Sequence, residues 1–168
     1  DVGLYPISFS RLIAGAATGD KFSEPNFLDA EAKIGETGVD EIAHANLEFK
    51  NGIKAKVSTA IRETMKNNAV IIGSKGKIEL PDPWMPGRDG GPYHAKIIIN
   101  KNENEEIVDV KGPEHLFFFE GELASQCIAK EKIEPPHPAM TWEDTLGNLK
   151  ALDIWRQKVN YKLPQDEI

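Results

Sequence analysis

The chain has 168 residues, 40% hydrophobic and 28% charged, with a formal net charge of -7. That is enough length and apolar content for a packed core, and the acidic balance argues against a nucleic-acid backbone or an anionic membrane surface as partner. The purely apolar runs are short, as at Leu116–Phe119, so no membrane-spanning helix is expected.

Residues 2–15 read as a helix, with Ile7, Leu12 and Ile13 as its apolar face and Gly15 as its stop. Asp1 and Tyr5 stand four residues apart, a spacing that puts a carboxylate and a phenol on one helix face. A loop follows from Gly19 to about Asn26, then a candidate strand over 29–35. From Glu41 to Phe49 the pattern alternates, with Ala43, Ala45, Leu47 and Phe49 on one face and His44, Asn46 and Glu48 on the other. Asn51-Gly52 is a hairpin signal, and Ile53, Ala55, Val57, Thr59 and Ile61 continue the alternation beyond it. A short strand at 69–72 meets a Gly-Ser-Lys-Gly turn and a second strand at 77–80. Pro81, Pro83, Pro86 and Pro92 mark a long loop. Residues 94–100 and 105–110 form another hairpin, turned through 102–104. Two helices close the chain. The first spans 116–130. The second is capped by Thr141, with Asp144 as a capping-box-like partner and Leu146, Leu149 and Ile154 facing inward.

This order predicts an α+β fold: a largely antiparallel mixed sheet, helices on one face, and an open face of small and polar side chains that meets water or a second subunit. No repeat, low-complexity segment or linker interrupts it, so residues 1–168 are expected to form a single domain. Cys127, the only cysteine, cannot form an internal disulfide and fits a reducing cytoplasm. Its setting, Ala-Ser-Gln-Cys-Ile-Ala, reads as a small buried residue within a helix. His44, His94, His115 and His137 lack the spacing of a helical metal site, so no metal is expected. Trp142 and Trp155 read as packing residues. The carboxylates form no glycosidase-like pair.

Tyr5 is the best catalytic candidate. A phenol titrates at about 10 in water and exchanges a proton with a carbonyl or alcohol oxygen when a nearby cation stabilises its ionised form. The bland alternative is a rim or core tyrosine. Asp1 reads as an N-cap, as a residue that orients substrate, or as both. Trp84, in Pro-Asp-Pro-Trp-Met-Pro, reads as a wall of a substrate pocket or as a lid over a sheet edge.

Four segments carry a resemblance. Asp1–Gly15 (DVGLYPISFSRLIAG) resembles the opening of the C-terminal domain of the Gfo/Idh/MocA oxidoreductases, in the branch with Tyr at the motif's fifth position, dihydrodiol dehydrogenase-like and glucose–fructose oxidoreductase-like. Thr37–Val57, Ile71–Gly87 and Phe118–Pro164 are similar, in the same order, to that domain's long hairpin, its strand–turn–strand with Pro-Trp, and its closing helices and tail. The family's N-terminal Rossmann domain, with its glycine fingerprint and the Glu-Lys-Pro segment bearing a catalytic Lys, has no counterpart here. The resemblance therefore implies a piece of a longer protein: the substrate-binding and oligomerising portion of an NAD- or NADP-dependent oxidoreductase acting on a sugar, polyol or diol. It implies that Tyr5 and the missing Lys handle the proton, that Trp84 contacts substrate, and that the parent is a homo-dimer or larger. Alone, the chain is expected to bind no nicotinamide cofactor and to be inactive. The alternatives are a stand-alone α+β module binding a small ligand without redox chemistry, and a purely structural dimerisation domain.

Overall fold

The computed structural model describes residues 2–86, 92, 94–163 and 166. The order of elements is α1 (Leu4–Thr18), β1 (Asn26–Ile34), β2 (Asp40–Glu48), β3 (Lys54–Ala60), β4 (Ala69–Gly73), β5 (Gly76–Leu80), β6 (His94–Lys101), β7 (Asn104–Lys111), α2 (Leu116–Ala129) and α3 (Trp142–Lys158). All pairings among described strands are antiparallel, so the fold is α+β as expected. The strands divide between two sheets, ordered β1-β2-β3 and β4-β5-β6-β7. The chain likewise divides into two compact units, residues 1–65 with 134–168, and residues 66–133.

The first unit is a three-stranded sheet with α1 and α3 packed on one face. Register decides which side chains meet the helices. Ala43 opposes Thr59, Ala45 opposes Val57 and Leu47 opposes Ala55, and with Phe27 these side chains lie on one face because successive residues of a strand alternate. They join Ile7, Ala14, Ala151 and Trp155 in the core. Phe27 and Trp155 rings meet at 6.3 Å. The other face is polar, and its side chains bond across strands. Asn46 Nδ2 donates to Asp29 Oδ1 at 2.8 Å, and His44 Nδ1 lies 2.7 Å from Ser58 Oγ. The turn between β2 and β3 holds Asn51 and Gly52 at φ 66° and 75°, the left-handed conformation that suits an Asn-Gly hairpin.

Gly15 does not stop α1. The helix runs on to Thr18, and Gly19, at φ 81°, supplies the left-handed cap. Gly15 serves a different need. The chain returns across it, and a Cβ there would stand 2.5 Å from the Phe22 backbone nitrogen.

The second unit is the four-stranded sheet and α2. It consists of sequential hairpins, β4–β5 and β6–β7, joined by pairing of β5 with β6. Ile71, Ile78 and Ile99 line up across three strands. The β6–β7 turn holds Asn102 and Glu103 at positive φ. His115 caps α2, its Nδ1 accepting from Phe117 N at 3.3 Å. Cys127 is buried.

Candidate functional site

Tyr5 lies in the first turn of α1. Gly3 is the N-cap of that helix. Asp1 itself lies outside the described residues. Pro6 fits the first turn because its missing N–H has no intrahelical partner there. Ile7, Arg11 and Ala14 face the core at exposures of 0%, 0% and 1%, whereas Tyr5 is 50% exposed. Tyr5 is two residues before Ile7, a rotation that turns its ring away from the buried stripe. The face expected from sequence, Ile7–Leu12–Ile13, is thus rotated toward Arg11, and Leu12 and Ile13 are only half-buried.

The position of α1 is set by Arg11. Its Nη1 donates to Asp144 Oδ1 at 2.5 Å, to the Asp144 carbonyl at 3.0 Å and to Asn148 Oδ1 at 2.6 Å. Nη2 and Nε grip both oxygens of Glu24, at 2.6 and 3.2 Å. The Phe22 ring centroid lies 4.7 Å from the guanidinium carbon. Charge-assisted, two-pronged bonds of this kind are strong and directional. They join α1, the following loop and α3. Asp144 therefore gives its carboxylate to Arg11 rather than to a capping box, while the Thr141 hydroxyl does cap α3 by accepting from Asp144 N at 3.2 Å. Gly147 is the residue that makes room: a Cβ there would lie 2.6 Å from Arg11 Cζ.

This network was missed in sequence, and it corrects the reading of α3. Gly147, Asn148, Ala151 and Trp155 face inward. Leu146, Leu149 and Ile154 are exposed at 58%, 52% and 40%, and Trp142 at 60%. Trp155 is the packing residue that it was expected to be; Trp142 is not. The signal available was an arginine one turn after Ile7, in step with an Asp144–Asn148 pair one turn apart on a later helix.

Trp84 is half-buried in the loop after β5. It belongs to the second unit and Tyr5 to the first. Among the described residues no three His, Cys, Asp or Glu side chains cluster as metal ligands. No helix among them is long and apolar enough to cross a membrane. Clearly shifted titrations occur elsewhere. A hydrogen bond from His94 holds the Asp109 carboxyl below the usual carboxylate range. The Leu163 backbone N–H, and then Arg156, do the same for Asp166.

No family model matches the chain. It is 24% identical over 173 residues to trans-1,2-dihydrobenzene-1,2-diol dehydrogenase of Mus musculus, covering 99% of this chain and 47% of the relative. It is 29% identical over 168 residues to the enzyme of that name from Xenopus tropicalis, covering 96% and 47%. The fold is similar to that of the 3-ketoreductase KijD10 from Actinomadura kijaniata, solved with NADP and TDP-benzene, at a TM-score of 0.72, 22% identity and coverage of 95% and 45%. It is similar also to the UDP-N-acetylglucosamine 3-dehydrogenase GnnA from Acidithiobacillus ferrooxidans, at a TM-score of 0.61, 18% identity and coverage of 95% and 46%.

The chain is similar to proteins of the Gfo/Idh/MocA oxidoreductase family.

It spans about half the length of the curated relatives it matches. Enzymes of this kind use a nicotinamide dinucleotide, and the described residues do not fit one. A dinucleotide's pyrophosphate sits on free amides at a helix N-terminus reached from a parallel strand. Here the described strands pair only antiparallel. Amides at the starts of two helices are already taken: Phe117 N by His115, Trp142 N by Glu134 Oε2 at 2.9 Å and Asp144 N by Thr141. What the described residues do offer is a half-exposed phenol, Tyr5, on a helix anchored by Arg11.

Proposed function

We propose that the chain is the C-terminal, substrate-binding and oligomerising half of an NAD(P)-dependent oxidoreductase that interconverts a CH–OH group and a carbonyl on a sugar, polyol or diol. One observation carries this reading: 96–99% of the chain aligns with trans-1,2-dihydrobenzene-1,2-diol dehydrogenases while spanning about half of each. A nicotinamide held on the other half would supply the hydride chemistry. On this chain, Tyr5 Oη takes the alcohol proton in the oxidative direction and gives it to the carbonyl oxygen in the reductive one. A cationic Lys on the other half stabilises the phenolate. Asp1 orients the substrate and Trp84 walls it. Residues 1–168 act together as one functional domain, and the setting is cytoplasmic.

The assembly we propose is a homo-dimer or larger, formed through the polar face of β1–β3. Ser58 is exposed on that face, where its hydroxyl meets His44. A two-fold contact uses the same patch twice, so Ser58→Glu brings like charges together and weakens association while the monomer stays folded. Light scattering coupled to size exclusion reads the mass. An unchanged oligomer places the interface elsewhere.

The activity test compares the full-length enzyme with the chain alone. NAD and NADP are offered with a trans-dihydrodiol, free sugars and nucleotide-linked sugars, and reduced cofactor is followed by absorbance. The full-length enzyme reduces cofactor with at least one of these classes, and the chain alone binds neither cofactor. A full-length protein that binds no nicotinamide, or a chain that binds one alone with micromolar affinity, contradicts the proposal.

A further inference from the structure

Helix α3 is apolar on two opposite sides. The inner side, Ala151 and Trp155 with Gly147 and Asn148, packs within the first unit. On the outer side Trp142, Leu146 and Leu149 follow at spacings of four and three, one helical stripe, and are 60%, 58% and 52% exposed. Glu143, Lys150 and Asp153 are exposed beside it, so the stripe has the make-up of an interface centre with a polar rim. A helix with apolar residues on both sides is one buried on both sides. A tryptophan with two leucines left open on a surface marks a contact still to be made.

We propose that this outer stripe of α3 is the seat of the cofactor-binding half of the full-length enzyme. The inference rests on the function proposed above, and two observations choose the occupant. About half the length of the relatives lies outside this chain, so a body of comparable size has to pack somewhere. That body must also bring its cofactor to Tyr5, which α1 carries. Arg11 locks α1 to α3 through Asp144 and Asn148, and both helices lie on the same side of the three-stranded sheet. The cofactor-binding half therefore approaches from the helical side, where the open stripe is. On the opposite side Asp29 pairs with Asn46 and His44 with Ser58, so that face is polar at these described residues.

Hydroxyl-radical footprinting tests this, because Trp155 is an internal standard for a buried indole at 5% exposure. In the chain alone Trp142 is labelled heavily and Trp155 weakly. In the full-length enzyme the labelling of Trp142 falls to the level of Trp155. Leu146→Asp with Leu149→Asp restores heavy labelling of Trp142 in the full-length enzyme, and the same pair leaves the circular dichroism of the chain alone unchanged. Heavy labelling of Trp142 in a full-length enzyme that still transfers hydride overturns the inference and leaves the function standing. Weak labelling of Trp142 in the chain alone, at the mass of a dimer, overturns it in favour of a second copy. Loss of nicotinamide binding by the full-length enzyme itself is the separate failure of the function.

Discussion

The two units solve the problem of holding a sheet in different ways. In the first, strand alternation and two helices enclose a core: Ile7, Phe27, Leu47, Val57 and Trp155 are each no more than 5% exposed. In the second, no apolar side chain among the described residues is that deeply buried: Cys127 comes nearest at 8%, and Ile72, Ile128 and Ile133 are 81%, 77% and 78% exposed. The first unit is closed by contacts distant in sequence, since Arg11 reaches Asp144 and Asn148. The second is built of neighbouring hairpins in register, which form locally and draw stability from cross-strand pairs such as Ile71 with Ile78. A unit with hairpins and little enclosed core gains little from hydrophobic burial, the dominant favourable term in folding. The comparison teaches that this chain's stability is concentrated in the unit that carries Tyr5.

The largest expected effect is at Arg11. Arg11→Met leaves Glu24, Asp144 and Asn148 facing a site that cannot donate to them, and breaking a buried ion pair from one side costs about 3–5 kcal/mol. Residue-level hydrogen exchange should show β2 and β3 losing protection while β6 and β7 keep theirs. Equal losses in both units would break the comparison. Gly147→Ala should act the same way by displacing the guanidinium. Next come the cores themselves. Leu47→Ala, at 1% exposure, should cost about 2–5 kcal/mol by chemical denaturation. Ile72→Ala, at 81% exposure, should stay within roughly 0.5 kcal/mol. A large effect at Ile72 would show a core in the second unit that its exposure denies.

The smallest effect is acid sensitivity. Asp109 and Asp166 have carboxyls held below their ordinary value in the fold. A lowered native pKa contributes stability that is complete above the unfolded value, about 3.9, and is lost as pH falls through the native one. Both groups are at the surface, so each contribution is small. His94→Ala removes the bond that lowers Asp109, and should flatten the acid limb of hydrogen exchange in β6–β7 while leaving the first unit's acid limb unchanged.

Local chemistry was legible in the sequence. The Asn51-Gly52 turn, the alternation from Ala43 to Phe49, the Thr141 cap and the hairpin at 102–104 each depend on residues within a few positions of one another, and all are where periodicity and turn rules put them. What was not legible depends on residues far apart. Gly15 looked like a helix stop because its real constraint, the return of Phe22 across it, lies in a loop. Leu146, Leu149 and Ile154 looked inward because they are large and apolar, yet the inner side of α3 needs Gly147 and Asn148, small or polar, to receive a buried guanidinium. The division into two sheets lies where pairing between consecutive strands stops, between β3 and β4, and no local motif marks that break. Tyr5 was singled out only through the motif it sits in. Periodicity alone could not separate it from a rim tyrosine, and the structure places it half-exposed on the outer side of a firmly anchored helix.

The most direct test of the central claim is Tyr5→Phe in the full-length enzyme. The change removes one hydroxyl from a half-exposed ring, so the fold and cofactor binding are expected to persist. If Tyr5 exchanges the proton, its loss is felt chiefly in the transition state: kcat should fall about 10²–10⁴-fold with KM little changed. A Phe variant turning over within about twofold of the parent would fall far below that contribution, and would contradict the assignment of this chain as the half that handles the proton.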